Sequence, residues 1–207
     1  TILVGTKGAR VGEAANVAGE PRDTFDFNGA QVVQFLPVSH HSDPVLITGA
    51  AVRAAQISGA LTKLRDMAVE YAGVRVQFGR PLAKFQAVQH QIAVLAEQAA
   101  LARSAAEAAF HYASGPDGDF YAAVAKQVTS EAAGEGAAIA HAVFGAIGFT
   151  QEYVLHLFTR RLWSWRSEFG NARYWADAIG SGVCTQGADA FWPNLVAGTT
   201  PIFAKRV

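Results

Sequence analysis

Tyr71-Ala72-Gly73-Val74-Arg75-Val76-Gln77-Phe78-Gly79-Arg80-Pro81-Leu82-Ala83-Lys84-Phe85-Gln86 decides the fold, because it separates two long apolar stripes with one compact break. On its amino-terminal side Ile47, Ala50, Ala54, Ile57, Leu61, Leu64, Ala68 and Tyr71 alternate spacings of three and four, the mark of one buried helical face. A second stripe follows through Phe85, Val88, Ile92, Leu95, Ala99, Ala102, Ala106 and Ala109. Gly79-Arg80-Pro81 stops the first helix, since neither glycine nor proline suits a helix interior. Ser42-Asp43-Pro44 starts it, with a capping residue before a proline at the first helical position.

Working outward, Ser114-Gly115-Pro116-Asp117-Gly118 reads as a turn, and Asp119 is placed to cap a third helix that runs toward Phe144. Gly145 to Gly148 make the next break, and Thr150 with Glu152 are expected to open a fourth helix. The stripes are rich in Ala, which lets helix backbones approach closely, and the short connections make sequential helices antiparallel. A further short helix over 171–179 is expected to end at Gly180, and 181–207, punctuated by Gly182, Gly187, Pro193, Gly198 and Pro201, reads as an irregular tail. Residues 1–41 differ. Glycines separate short runs containing Phe25, Phe27, Val32 and Phe35, and Asn28-Gly29 is a favoured hairpin dipeptide. The expectation is a mainly α chain: the end of a β-domain over 1–41, an antiparallel four-helix bundle over 42–180, and the tail.

Composition narrows the function classes. The 207 residues are 51% apolar, enough to bury a core, and carry 17 basic and 17 acidic side chains. That balance gives no electrostatic footprint for nucleic acid or an anionic membrane. One cysteine, Cys184, excludes an internal disulfide and any multi-cysteine metal site, and no cationic neighbour in sequence activates it. The beginning of the chain lacks a signal-peptide pattern, and charged residues interrupt the helical stripes, so a soluble, cytoplasmic chain with no membrane span is expected. His40 and His41 are adjacent and would point to opposite faces of an extended segment, so they are read as loop residues and no metal site is expected. His141 and His156 are read as packing residues. Trp163 and Trp165, with Arg160, Arg161 and Arg166, form a candidate cation–π cluster.

The Arg75-Val76-Gln77-Phe78-Gly79 turn, followed by Pro81-Leu82 and Phe85-Gln86, resembles the acyl-CoA dehydrogenase family, in which such a turn joins two long helices of the carboxy-terminal domain. Phe144-Gly145-Ala146-Ile147-Gly148-Phe149-Thr150, with Glu152-Tyr153 and Arg160-Arg161 after it, is similar to the family's second glycine turn. The resemblance covers roughly residues 43 to 170. It implies FAD as cofactor and an acyl-CoA as substrate, whose α-proton goes to a Glu while hydride leaves the β-carbon for the flavin. It further implies that Arg75, Gln77, Phe78, Gln86, Gly145, Ala146 and Gly148 contribute to a flavin site shared across a subunit interface, in a dimer or tetramer of like or unlike chains, with an electron-transferring flavoprotein as acceptor. Arg75 offers an always-charged fork suited to the pyrophosphate, and Gln86 is expected about three turns into the next helix.

The chain departs from the family pattern at four places. Ala142 stands where the family has Gln, and Ala146 where it has a second turn glycine. Its two customary locations for the catalytic Glu fall on Phe169 and near Gly49. Glu168, one residue from the first, is a weak candidate. A non-catalytic assembly subunit and a flavin monooxygenase on the same bundle are the alternative readings, because fold does not fix function.

Overall fold

A computed structural model describes residues 2–5, 9–35 and 43–197. Helix α1, Pro44–Val74, begins where expected: the Asp43 side chain accepts from the Leu46 N–H at 3.0 Å and proline occupies the first turn. It ends at Arg75, whose backbone turns extended. There a two-residue hairpin, β5 (Val76–Gln77) against β6 (Arg80–Pro81), closes on Phe78 and Gly79 at φ 51° and 79°. Two successive left-handed residues are what a tight hairpin turn requires. A 3₁₀ turn over Leu82–Lys84 leads into α2, Gln86–His111. Gln86 is therefore the first residue of α2 and not three turns inside it; the hairpin and the 3₁₀ turn consume the intervening residues.

Helix α3, Gly118–Phe144, has Asp117 at its N-cap position, and Asp119 lies in its first turn instead of capping it. The 3₁₀ segment Gly145–Phe149 follows. Helix α4 spans Leu155–Trp165, starting later than Thr150, whose hydroxyl donates to the Ile147 carbonyl and closes the preceding turn. The end of the chain also differs from expectation. Helix α5, Ala172–Gln186, is capped by Asn171 and runs straight through Gly180, and α6, Ala188–Ala197, follows after Gly187 at φ 85°. The supposed irregular tail is thus helical through Ala197. Glycine stops α5 only where the backbone turns left-handed, and Pro193 lies within the exposed α6.

Helices α1, α2 and α3 pack on one another over most of their lengths, α4 covers α1 and α3, and α5 lies along α3. The main core joins Ile57, Leu61 and Leu64 of α1 to Leu95 and Ala99 of α2, Ala133 and Ala137 of α3, and Leu155 and Leu162 of α4. A Cβ at Gly136 would lie 2.4 Å from the Leu61 side chain, so glycine there permits the close approach of α1 and α3. A second core packs the fully buried Trp175 against Ile47, Ala50, Ala122 and Ala123. By length and composition α1 and α3 with its 3₁₀ extension could each cross a membrane, contrary to the sequence expectation, because Arg53 is the only charge in the first half of α1. Here their apolar faces meet each other in the bundle core.

Before the bundle stand two separate antiparallel pairs. β1 (Ile2–Val4) pairs with β4 (Val32–Phe35), and β2 (Arg10–Gly12) pairs with β3 (Thr24–Asp26). Asn28-Gly29 does form a turn, with the Ala30 N–H donating to the Phe27 carbonyl, but the strands it joins pair with different partners. Leu3, Phe25, Val33 and Phe35 remain exposed.

Candidate functional site

The two family-like turns come together at one end of the bundle. Tyr71, one helical turn before Arg75, packs at a tilt on Phe144 with ring centroids 4.5 Å apart, and its hydroxyl donates to the Phe144 carbonyl at 3.4 Å. Phe144 immediately precedes Gly145, and Tyr153 completes the aromatic cluster 5.0 Å from Phe144. The backbone of Arg75 is fixed on both sides: its N–H donates to the Tyr71 carbonyl, and its own carbonyl accepts from the Leu82 N–H, each at 2.9 Å.

The side chains on this platform face solvent. Arg75, Gln77, Gln86, Gly145 and Ala146 are exposed, and Phe78 is 90% exposed at the hairpin tip, 6.1 Å from the ring of Phe85. Gln77 spends its amide on the neighbouring Val76 carbonyl. Among the described residues neither the Arg75 guanidinium nor the Gln86 amide has a hydrogen-bond or ion-pair partner. Nothing lies within 4 Å of where a Cβ would stand at Gly145, so that backbone is open to close approach. Gly148 differs from the other predicted site residues: it is buried, and a Cβ there would meet Leu155 at 2.9 Å, so its role is packing under the turn. Beneath it His141 stacks on Phe149 at 4.5 Å and shares a 3.2 Å contact with the Thr159 hydroxyl, and burial holds its pKa below the usual histidine value. His156 contacts the Tyr153 carbonyl.

The opposite end of α1 carries the second group of predicted residues. Gly49 and Phe169, distant in sequence, touch: a Cβ at Gly49 would stand 2.2 Å from the Phe169 ring. Phe169 holds a left-handed backbone at φ 54°, a strained conformation for a bulky residue. Its carbonyl accepts from the Trp175 indole at 2.9 Å, and the carbonyls of Arg166, three residues earlier, and of Gly170, the next residue, accept from the buried Lys126 ammonium at 3.0 and 2.8 Å. Lys126 also donates to the Ser130 hydroxyl. Burial, aided by the charges of Arg53 and Arg166 and opposed by Glu168, pulls the Lys126 pKa down to about 8.

Glu168 is saturated. Its carboxylate accepts from Ser164 at 2.8 Å, from Asn16 at 3.2 Å, from Arg22 through Nε and Nη2 at 2.8–3.0 Å, and from Arg53 at 2.7 Å. Burial alone would raise its pKa, but these hydrogen bonds and the Arg53 charge outweigh it and hold the group below its ordinary value. Glu20 completes the network with Arg22, Arg161, Asn16 and the Trp165 indole. Against the desolvation of burial, those hydrogen bonds lower its pKa to about 2. The expected cation–π cluster is therefore divided: Arg166 covers Trp163, whereas Trp165 lies under Arg53, and Arg160 and Arg161 reach the loop before β3.

Sequence reading missed this network because its members are far apart in the chain. Only Lys126 left a signal, a lone charge inside the Ala-rich buried stripe of α3. Among the described residues no group of three His, Cys, Asp or Glu could hold a metal ion. His40 and His41 lie outside the described residues, and Cys184 is exposed.

Comparisons with known proteins agree with this geometry. Residues 46–181 match the family described as acyl-CoA dehydrogenase, C-terminal domain. The chain is 41% identical over 115 residues to acyl-CoA dehydrogenase FadE34 of Mycobacterium tuberculosis, covering 54% of this chain and 16% of that protein. It is 30% identical over 163 residues to acyl-CoA dehydrogenase IpdE2 of Mycolicibacterium smegmatis, covering 77% of this chain and 51% of the relative. Among solved structures, the ChsE4-ChsE5 complex from Mycobacterium tuberculosis superposes with a TM-score of 0.79 at 23% identity, over 87% of this chain and 50% of that one. Butyryl-CoA dehydrogenase from Megasphaera elsdenii gives 0.70 at 26% identity, over 86% and 49%. The chain thus spans about half the length, or less, of the proteins it matches. With its two motif turns joined at one end of the bundle, it belongs to the acyl-CoA dehydrogenase family, whose carboxy-terminal domain it carries.

Proposed function

We propose that this chain is a component of a FAD-dependent acyl-CoA dehydrogenase and supplies one edge of a flavin site shared with another subunit. The observation that carries the reading is the pairing of unspent donors on the Tyr71–Phe144 platform: an exposed Arg75 fork and Gln86 amide beside the open backbone of Gly145. Those residues fit the group. Arg75 can donate a charge-assisted pair to a pyrophosphate, Gln86 at the first turn of α2 adds an amide, and Gly145 lets backbone come near. The exposed Ala142 and Ala146 reduce the number of contacts without blocking the surface. Bound FAD would supply the hydride acceptor for α,β-dehydrogenation of a CoA thioester. An electron-transferring flavoprotein is the acceptor that this chemistry calls for.

Gly49 and Arg75 lie roughly 39 Å apart along α1 at 1.5 Å per residue. The two ends cannot face one reacting centre, which supports a site assembled from more than one subunit. At the Gly49 end the contact of Gly49 with Phe169 favours a second reading, in which the chain is a non-catalytic assembly subunit. A base needs a free lone pair and a pKa near the working pH. Phe169 and Gly49 have neither, and the Glu168 carboxylate is committed to Arg22 and Arg53.

The test is the mass and visible spectrum of the native assembly, followed by a dehydrogenation assay of this chain alone and with its co-purifying subunit. Bound flavin, with activity only in the mixed assembly, is the expected result. An assembly that carries no flavin overturns the reading.

A further inference from the structure

The hairpin that ends α1 carries a second arginine, Arg80, beside Arg75. In its ladder Gln77 is paired directly with Arg80, and Val76 with Pro81. Paired residues leave the same face of a ladder and successive residues alternate, so Gln77 and Arg80 share one face. Arg75 belongs to that face too. Its backbone is extended, it stands two residues before Gln77, and its carbonyl accepts from the Leu82 N–H, which continues the ladder by one step. The Gln77 amide is turned back to the Val76 carbonyl, so the donors left on this face are two guanidinium forks.

The Arg80 fork is held in place. Its central carbon lies 4.1 Å over the Phe85 ring, and Phe85 is itself packed edge-to-face with Phe78. Stacking on a ring uses the face of a guanidinium and leaves its in-plane N–H donors free. Those donors have no hydrogen-bond or ion-pair partner among the described residues. Phe85 directly precedes Gln86, whose amide belongs to the proposed flavin edge. A fork oriented in advance loses less freedom on binding than an unsupported one.

The charge around Arg80 is also unbalanced. Residues 71–96 include Arg75, Arg80 and Lys84 and no acid, and residues 136–151, which carry the Gly145 turn, include no acid either. Of the flanking acids, Glu70 lies near enough to Tyr153 to act on its charge, and Glu152 is bonded to Thr150. Neither pairs with an arginine of the hairpin among the described residues. Two arginine forks on one face suit a ligand with two anionic groups a few bonds apart, which is the chemistry of a pyrophosphate.

We propose that Arg80 is a further cofactor-binding residue, taking one phosphate of the flavin dinucleotide while Arg75 takes the other. The inference rests on the shared flavin edge proposed above and adds a residue to it.

Titration of the flavin-stripped native assembly with FAD, followed by flavin fluorescence at low and high salt, tests this. Arg80→Gln is expected to weaken FAD binding about tenfold, the worth of one charge-assisted contact, and to make the affinity less sensitive to salt. In the unsubstituted assembly inorganic pyrophosphate should displace FAD at about a tenfold lower concentration than inorganic phosphate, a measurement that stands even if the variant fails to assemble. Equal potency of the two anions overturns the inference. So does an unchanged FAD affinity in Arg80→Gln while Arg75→Ala loses FAD, a result that leaves the flavin reading standing. A variant that sheds its co-purifying subunit yet binds FAD normally when reassembled assigns Arg80 to a subunit contact and overturns the inference as well. An unsubstituted assembly that takes up no FAD overturns the flavin reading and this inference with it.

Discussion

The two ends of helix α1 use arginine in opposite ways. At the carboxy-terminal end Arg75 is exposed, held only by its backbone, and has no partner for its side chain among the described residues. Near the amino-terminal end Arg53 is mostly buried, stacked between Trp165 and Phe169, and paired with Glu168. An exposed and unspent guanidinium costs the isolated chain little and is available to a ligand or a partner. A paired and desolvated one is a structural element first, because removing either partner leaves a charge out of water. The first end is therefore predicted to govern cofactor retention with little effect on folding, and the second to govern stability.

The largest expected effect comes from Gly49. Gly49→Leu must displace Phe169 from a left-handed turn already fixed by Lys126 and Trp175, and overpacking of this kind costs about 3 kcal/mol. Thermal melting should show it as a drop of several degrees, and an unchanged midpoint would mean that the Phe169 ring is free to leave. Replacing Lys126 with Met comes next. It leaves the carbonyls of Arg166 and Gly170 without their donor, a loss of about 2 kcal/mol, measurable in denaturant. Glu168→Gln sharpens the comparison further. It weakens one of the ties that hold the segment carrying Asn16 and Arg22 to the bundle, so amide exchange over 10–26 should accelerate while that of α3 stays constant. Equal acceleration in both regions would show that the network supports the whole bundle.

The pH dependence separates the two ends with a smaller effect. Glu20 and Glu168 have depressed pKa values, so their contribution to stability is fully present above the ordinary carboxylate value near 4.5 and is lost as pH falls; for Glu20 the loss extends down to about 2. Protection of the 10–26 amides should therefore persist at pH 5 and fade between pH 4.5 and 2. Lys126 acts in the other direction. Its folded pKa of about 8 lies below the ordinary lysine value of 10.5, so the unfolded chain binds more protons between those values and stability should rise with pH across that window.

These contrasts also explain what could be read from the sequence. The stripes of α1 and α2, and the turns at Phe78-Gly79 and Gly145, were legible because helix periodicity and left-handed turn chemistry are local. Arg75 and Gln86 were read as candidates from the family-like turn, and Gln86 opens α2 instead of lying inside it. The late helices α5 and α6 were not legible. Gly180 and Pro193 carry breaker chemistry, but whether a helix stops depends on the packing of Trp175 and the conformation at Gly187. The Glu20–Arg22–Arg53–Glu168 network was invisible for the same reason: an ion pair between residues 22 and 168 has no sequence period. Glu168 suggested a base by its position next to Phe169; its neighbours show a carboxylate already committed to cations.

The central claim is that the Arg75 end meets a flavin while the Arg53 end holds the fold, and Arg75→Ala in the native assembly tests it most directly. The ratio of flavin to protein absorbance should fall several-fold after gel filtration, with the melting midpoint of the apo-assembly within about 1 °C of the parent, as expected for an exposed side chain. Full flavin retention in that variant would contradict the account.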